Sequence, residues 1–182
     1  DRYTRGHSER VSRYAELLGK RLTLSENELE MLRWAALMHD IGKIGIRQEK
    51  LNKPGKLSPE EVAMFQTHPA KGKRILEPIP FMADLIPGAF CHHESWDGNG
   101  YPSGLIGEEI PLSARIFAIV DVYDSIIHDR PWRPYLQRSE AIEYIRENAG
   151  LHFDPLLVDL FLQVLAAEKD SRKLPGPGAA KS

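Results

Sequence analysis

Apolar residues recur along most of this chain at intervals of three and four, the period of a helix with one face turned inward. Val11, Tyr14 and Leu18 follow the spacing near the start, and Leu29, Leu32 and Ala36 repeat it. Val62 and Phe65 begin a third stretch, and Ile116, Ile119, Val120 and Tyr123 a fourth. Ile142, Ile145 and Ala149 mark a fifth, and Leu156, Leu160, Phe161 and Val164 a sixth. Capping chemistry separates them. Ser25 with Glu28 and Ser58 with Glu61 have the form of capping boxes. Pro59 stands at a first helical position, where a missing N–H costs nothing. Asp154–Pro155 opens the last stretch, and Gly150 is placed to stop the fifth. The run from Ser25 extends to Asp40. Pro69 reads as the end of the helix carrying His68, and Pro87 as the start of one carrying His92 and His93. Strand-like alternation is scarce, so the pattern predicts an all-α domain.

One long segment breaks the pattern. Trp96 to Gly107 holds Gly98, Asn99, Gly100, Pro102, Gly104 and Gly107, and an irregular loop of that size is more often functional than accidental. Composition adds mainly exclusions. The 182 residues suit one domain, and 42% hydrophobic with 27% charged residues is ordinary for a globular chain. Lys and Arg total 24 against 26 Asp and Glu, so no broad basic footprint for DNA is expected. No apolar run approaches the roughly 20 residues of a membrane helix, and no membrane contact is expected of this domain. The single cysteine, Cys91, cannot form an internal disulfide. A cytoplasmic, reducing location fits, with Cys91 as a small buried hydrophobe. The expected domain covers residues 1–170. A flexible tail is expected over 171–182, Pro/Gly/Ala-rich from Leu174 on. The chain opens at Asp1 without an initiator Met, and an upstream sensory or receiver domain is expected before it.

The histidines change the picture. His7 lies four residues before Val11, His39 three beyond Ala36 and His68 three beyond Phe65, each on an inward stripe. His92 and His93 are adjacent and would point about 100° apart on a helix, so the residues alone favour one of them as inward. Phe117, Asp121, Asp124 and His128 share a face of the fourth stretch. Singly, each reads as a hydrogen-bonded core histidine or a solvated carboxylate. Jointly, five imidazoles with the carboxylates of Asp40 and Asp121 fall at inward or helix-terminal places. Burying that many polar groups is costly unless something pairs them, and metal ions do so. The mixed nitrogen and oxygen set suits Fe, Mn, Zn, Ni or Co better than Ca²⁺ or Mg²⁺. Asp40 between two sets of imidazoles would make a dinuclear site, of the kind that polarises phosphoryl oxygens and activates water.

His39-Asp40-Ile41-Gly42-Lys43 is an HD motif of the HDxGK kind, and His92-His93-Glu94 precedes Asp97-Gly98-Asn99-Gly100-Tyr101-Pro102. Together they resemble the HD-GYP family, metal-dependent phosphodiesterases of the bacterial second messenger cyclic di-GMP. The resemblance runs from about His7 to about Phe161 and takes in KPGKLSPEE, ARIFAIVDVYD, DRPWRP and the later FDP. It implies a compact HD-type helical bundle with one long Gly/Pro-rich GYP loop. It implies that His7, His39, Asp40 and Asp121 hold one divalent transition metal. Asp40 would bridge to a second held by His68, His92 and His93. Fe or Mn comes first, with Zn, Ni or Co as alternatives.

Lys43 would face the scissile phosphate, while Arg130 and Arg133 would grip substrate phosphates. Tyr101 and Pro102 would line the site mouth or meet a partner. A carboxylate supporting a third metal in some members is replaced here by Tyr3, so two metals are expected. Ile127 and His128 stand where small hydroxyl residues are common, and His128 reads as a satisfied surface histidine. The implied reaction is hydrolysis of cyclic di-GMP to pGpG, and onward to GMP. The alternatives are a weakly active sensor or interaction module recruiting a GGDEF-type partner through the GYP loop, and a phosphohydrolase of cyclic GMP-AMP or of another HD-superfamily substrate. A homodimer is the assembly considered.

Overall fold

The structure, a computed structural model, describes residues 2–46, 55, 57–128 and 135–171. Among these residues there is no β-strand, only one isolated bridge between Ala149 and Phe153. Helix α1 (Arg2–Arg21) is followed by α2 (Glu26–Met38). The expected capping box forms between them: the Ser25 hydroxyl accepts the Glu28 N–H at 3.3 Å, and the Glu28 carboxylate accepts the Ser25 N–H at 2.8 Å. Helix α2 stops at Met38, with His39 as its C-cap, and a 3-10 turn follows over Ile41–Gly45. Helix α3 (Pro59–Phe65) has its own box from Ser58 and Glu61, with Pro59 in its first turn.

Two proline readings are corrected. Pro69 does not end a helix; α3 is already over at Phe65, and Pro69 lies in the first turn of α4 (His68–Leu76). A proline there gives up an N–H that has no intrahelical partner anyway. Pro87 does sit in the first turn of α5 (Ile86–Cys91), but that helix ends before the histidines, with His92 as its C-cap. The 100° separation of two successive helical residues therefore does not govern His92 and His93. Helices α6 (Leu112–Ile127), α7 (Arg138–Glu147) and α8 (Pro155–Ser171) complete the order. Asp154 caps α8 by accepting the Leu156 N–H at 2.9 Å, and Gly150 takes a φ of 78° after α7. Beyond Ser171 the expected tail lies outside the described residues.

Helix α6 is the axis of the core. Ile116, Phe117, Ile119, Val120 and Tyr123 are fully buried, against Val11 and Leu18 of α1, Ala36 of α2, Ile145 of α7 and Leu157 and Phe161 of α8. Tyr14, Tyr123 and Phe161 meet edge to face with centroids 5.2–5.8 Å apart. A smaller cluster of Cys91, Ile110 and Ala114 packs with Phe90 and Leu105. The 3-10 turn presses directly on α4: a Cβ on Gly42 would stand 1.9 Å from the His68 carbonyl oxygen and 2.6 Å from the Gly72 nitrogen. Only glycine permits that approach, which brings the end of α2 to the start of α4. Among the described residues, no helix is long and apolar enough to cross a membrane.

Candidate metal centre

Three of the histidines are aimed by one local device. The Nδ1 of His39 lies 2.6 Å from the Ala36 carbonyl, that of His68 2.6 Å from Phe65, and that of His92 2.8 Å from Ala89. Each acceptor lies three residues earlier, at a helix end whose last carbonyls have no intrahelical N–H to take. A carbonyl only accepts, so Nδ1 carries a proton, and Nε2 is the ring nitrogen left to face the site. Those Nε2 atoms converge. His68 Nε2 and His92 Nε2 are 3.2 Å apart, two lone-pair atoms that need a proton or a cation between them. His39 Nε2 is buried without a hydrogen-bond partner.

Asp40 joins these groups. Its Oδ2 lies 3.4 Å from His39 Nε2 and 2.6 Å from Lys43 Nζ, while Oδ1 lies 3.3 Å from His68 Nε2 and 3.8 Å from His92 Nε2. Oδ1 is itself buried without a hydrogen-bond partner. Such an orphaned pair, a ring nitrogen and a carboxylate oxygen, is what a metal-binding site leaves when only protein atoms are counted. Three sets of side chains each have ligand atoms within 4.8 Å of one another: His68, His92 and His93; His7, His39 and Asp121; and His39, Asp40 and His92. The residues present fit two metals sharing Asp40, with imidazole nitrogen and carboxylate oxygen as donors.

His7 and Asp121 join α1 to α6. His7 Nε2 is 3.0 Å from Asp121 Oδ1, and His7 Nδ1 is 2.7 Å from Asp124 Oδ2. Arg10 then grips Asp124 with both arms, Nε to Oδ1 at 2.6 Å and Nη2 to Oδ2 at 2.9 Å. The electrostatics follow. Burial opposes charge on His7, yet the carboxylates of Asp121 and Asp124 prevail and raise it to about 9. His39 is likewise raised: burial opposes, and Asp40 and Asp121 outweigh it. On the other side of the site burial wins, helped by neighbouring imidazoles; His92 falls well below its ordinary value and His93 to about 3. Asp40 and Asp121 stay far below the usual carboxylate range, because cationic neighbours overcome the burial that would raise them. The carboxylates are thus already in the ionised form that ligates metals, as His92 and His93 are in the neutral one, while a metal has to displace a proton from His7 and His39.

Above the site, the GYP loop is tightly bonded. The buried Glu94 carboxylate accepts the N–H of Ser103 at 2.7 Å and of Leu105 at 3.1 Å, closing the loop back on its root. Trp96 and Asp97 donate their N–H groups to the His152 and Leu151 carbonyls, tying the loop to the turn before α8. A Cβ on Gly100 would stand 2.2 Å from the Ser95 nitrogen. Tyr101, followed by a cis bond to Pro102, stacks on His93 with centroids 4.8 Å apart. Its phenol is raised above its ordinary value, first by burial and then by Asp40 and Asp121.

The structure thus brings together His7, His39, Asp40, Lys43, His68, His92, His93, Tyr101 and Asp121. Arg130 and Arg133, and the side chain of Tyr3, lie outside the described residues. His128 donates from Nδ1 to the Asp124 carbonyl at 2.8 Å. Cys91 is buried, with its thiol pushed up to about 11, mostly by burial. Sequence reasoning had placed Asp124 on a face without a role, and it did not single out Arg10. The available signal was their spacing, each three residues beyond a ligand candidate on the same helix face.

A family model described as HD domain matches residues 2–157. A cyclic di-GMP phosphodiesterase response regulator of Xanthomonas campestris pv. campestris is 41% identical over 157 residues, 85% of this chain and 42% of the relative. A 3'3'-cGAMP-specific phosphodiesterase of Vibrio cholerae is 40% identical over 153 residues, covering 84% of this chain and 33% of the relative. The chain therefore spans well under half the length of these relatives. An HD-GYP-type protein from Bdellovibrio bacteriovorus superposes with a TM-score of 0.71 at 22% identity, over 90% of this chain and 51% of that one. That likeness shows a shared HD-type helical fold.

Proposed function

The chain belongs to the HD domain family, in its HD-GYP branch, and from that premise we propose that it hydrolyses a phosphodiester bond of cyclic di-GMP. The observation that carries the reading is the pair of buried, unpartnered ligand atoms, His39 Nε2 and Asp40 Oδ1, at the meeting of two ligand sets. His7, His39, Asp40 and Asp121 would hold one divalent transition metal; Asp40, His68, His92 and His93 would hold the other. The donor set suits Fe, Mn, Zn, Ni or Co, and the HD-GYP resemblance puts Fe or Mn first. Such metals supply Lewis acidity toward the phosphoryl group and lower the pKa of water.

The chain's own residues do the rest. Lys43 Nζ stands 2.6 Å from Asp40, and its side chain is about one-third exposed, so it can turn from the carboxylate to an incoming phosphate. There it offsets the charge that builds as the ester breaks, and its ammonium can protonate the leaving oxygen. Tyr101, packed flat on His93, walls the site beneath the GYP loop and offers an aromatic edge to the nucleotide. Arg130 and Arg133 would hold the substrate's phosphates. The site works in the bacterial cytoplasm, where its substrate is a messenger.

A second substrate has a specific observation behind it, since a relative of similar identity is named for 3'3'-cGAMP. The two dinucleotides share phosphodiester chemistry and differ in one base. The test is product analysis by chromatography with each dinucleotide on protein reconstituted anaerobically with Fe²⁺ or Mn²⁺. Metal-dependent release of pGpG or GMP is the expected result. Metal bound with cyclic di-GMP intact overturns the reading, and cleavage of cyclic GMP-AMP alone transfers it to that substrate.

A further inference from the structure

We infer that Asp124, held by Arg10, is a positioning residue that fixes the His7 ring and so sets the affinity of one metal site. The inference rests on the metal reading above and deepens it. His39, His68 and His92 borrow carbonyls at helix ends, but His7 sits inside α1, between Arg2 and Arg21. There the carbonyls three and four residues back are already engaged by helical N–H groups. His7 has no local acceptor for its Nδ1 proton, and the acceptor has to come from another element.

Asp124 provides it from α6, 117 residues away, at 2.7 Å. The two helices meet as matched pairs. His7 and Arg10 are three apart on α1, Asp121 and Asp124 three apart on α6, and both members of each pair are joined to the other pair. Asp124 is almost fully buried, and both its oxygens are engaged, by His7 and by the two nitrogens of Arg10. On the far side, His128 Nδ1 is 3.4 Å from Oδ1 and donates to the Asp124 backbone carbonyl. The fork of Arg10 fixes the carboxylate plane and balances its charge. The carboxylate in turn holds the proton on Nδ1, so that a metal displaces only the Nε2 proton and meets a ring of fixed orientation and greater basicity. Partners of this kind, one bond removed from a metal, typically carry tenfold to hundredfold effects on affinity.

Asp124→Asn is the informative change. An amide turns an NH2 donor toward one of the two positions, so the three N–H bonds from His7 Nδ1, Arg10 Nε and Arg10 Nη2 cannot all survive, and the charge that holds the Nδ1 proton is lost. Titration of the whole protein with Mn²⁺, followed by electron paramagnetic resonance, should show one site weakened about tenfold to a hundredfold and the other unchanged. In the Zn²⁺-loaded, ¹⁵N-histidine-labelled protein, the hydrogen-bonded Nδ1 proton of His7 should shift upfield or be lost in the variant, as a charge-assisted bond gives way to a neutral one. A role in folding alone would leave that signal in place. Arg10→Lys, which removes the fork but keeps the charge, should weaken the same site less, and it serves if Asp124→Asn does not fold. Equal Mn²⁺ affinity and an unchanged Nδ1 signal in a folded variant overturn the inference while leaving the metal reading intact. Wild-type protein that takes up no Mn²⁺ overturns both.

Discussion

Lys43 owes its place to a single turn of backbone. It lies three residues after Asp40 on the 3-10 turn, its N–H bonded to the Asp40 carbonyl at 2.9 Å, and its ammonium reaches the carboxylate it follows. An ammonium there could serve the site in two ways: it could merely neutralise Asp40, or it could act on substrate. The two roles separate in a variant. Asp40 faces imidazoles through both its oxygens, so Lys43→Gln should leave metal content near the wild-type value. Turnover should fall by about 10²–10³, the usual cost of removing one group that stabilises charge in the transition state. Metal analysis beside steady-state kinetics decides the matter, and loss of metal together with activity would make Lys43 a structural residue. Gly42, between these two, shows how a motif letter can serve packing: its missing side chain admits the His68 carbonyl.

At the scale of elements, the helices were legible and their junctions less so. Ser25, Ser58 and Asp154 announce helix starts by chemistry that acts within four residues, which a linear sequence contains in full. Pro69 and the end of α5 misled because a proline fits a first turn as readily as it follows a last one, and neighbouring elements decide which. The GYP loop was visible as a loop, but its internal bonding was not. Glu94 holds it through two backbone N–H groups nine and eleven residues on. Glu94→Gln leaves one of those donors without a carboxylate oxygen, at a cost of about 1.5–3 kcal/mol. Hydrogen exchange should quicken at Ser103 and Leu105 while the α6 amides keep their protection; unchanged exchange in the loop would remove Glu94 from that role.

The loop's other anchor carries a pH dependence. His152, whose carbonyl accepts the Trp96 N–H, stacks on Phe153 and has its pKa lowered, mainly by burial, with Asp97 and Asp121 opposing. Its folded value lies below the ordinary 6.5, so below that pH the unfolded chain binds more protons. The contribution to stability is present above pH 6.5 and is lost as pH falls toward the folded value. His152→Gln should therefore narrow the difference between urea midpoints at pH 7.5 and pH 5, and equal differences in wild type and variant would exclude it as a source.

Over the whole molecule, the candidate site depends on contacts that no local pattern contains. His7 and Asp121 come from helices separated by most of the chain, yet their inward positions could be read from periodicity, since each shares a stripe with core residues. Their supports, Arg10 and Asp124, could not be paired that way, because their partner choice depends on how α1 lies on α6. Arg115 and Asp154, joined at 2.8 Å across 39 residues, pose the same difficulty. The long-range character of the site also bears on stability. The ligand candidates come from α1, the end of α2, the start of α4, the residues after α5, and α6, so a bound metal would tie five parts of the bundle together. Unfolding scatters them, and a ligand that binds only the folded state stabilises it by about 2.7 kcal/mol at one hundred times its dissociation constant. For a domain of this size that corresponds to a rise in Tm of roughly 5–10 °C. Calorimetry of metal-loaded protein before and after chelator treatment should show that fall. The loss should be smaller in Asp40→Asn, which weakens the ligand shared by both sets before any chelator is added. Coincident melting curves for loaded and stripped wild-type protein would mean that the buried histidines are held by the fold alone.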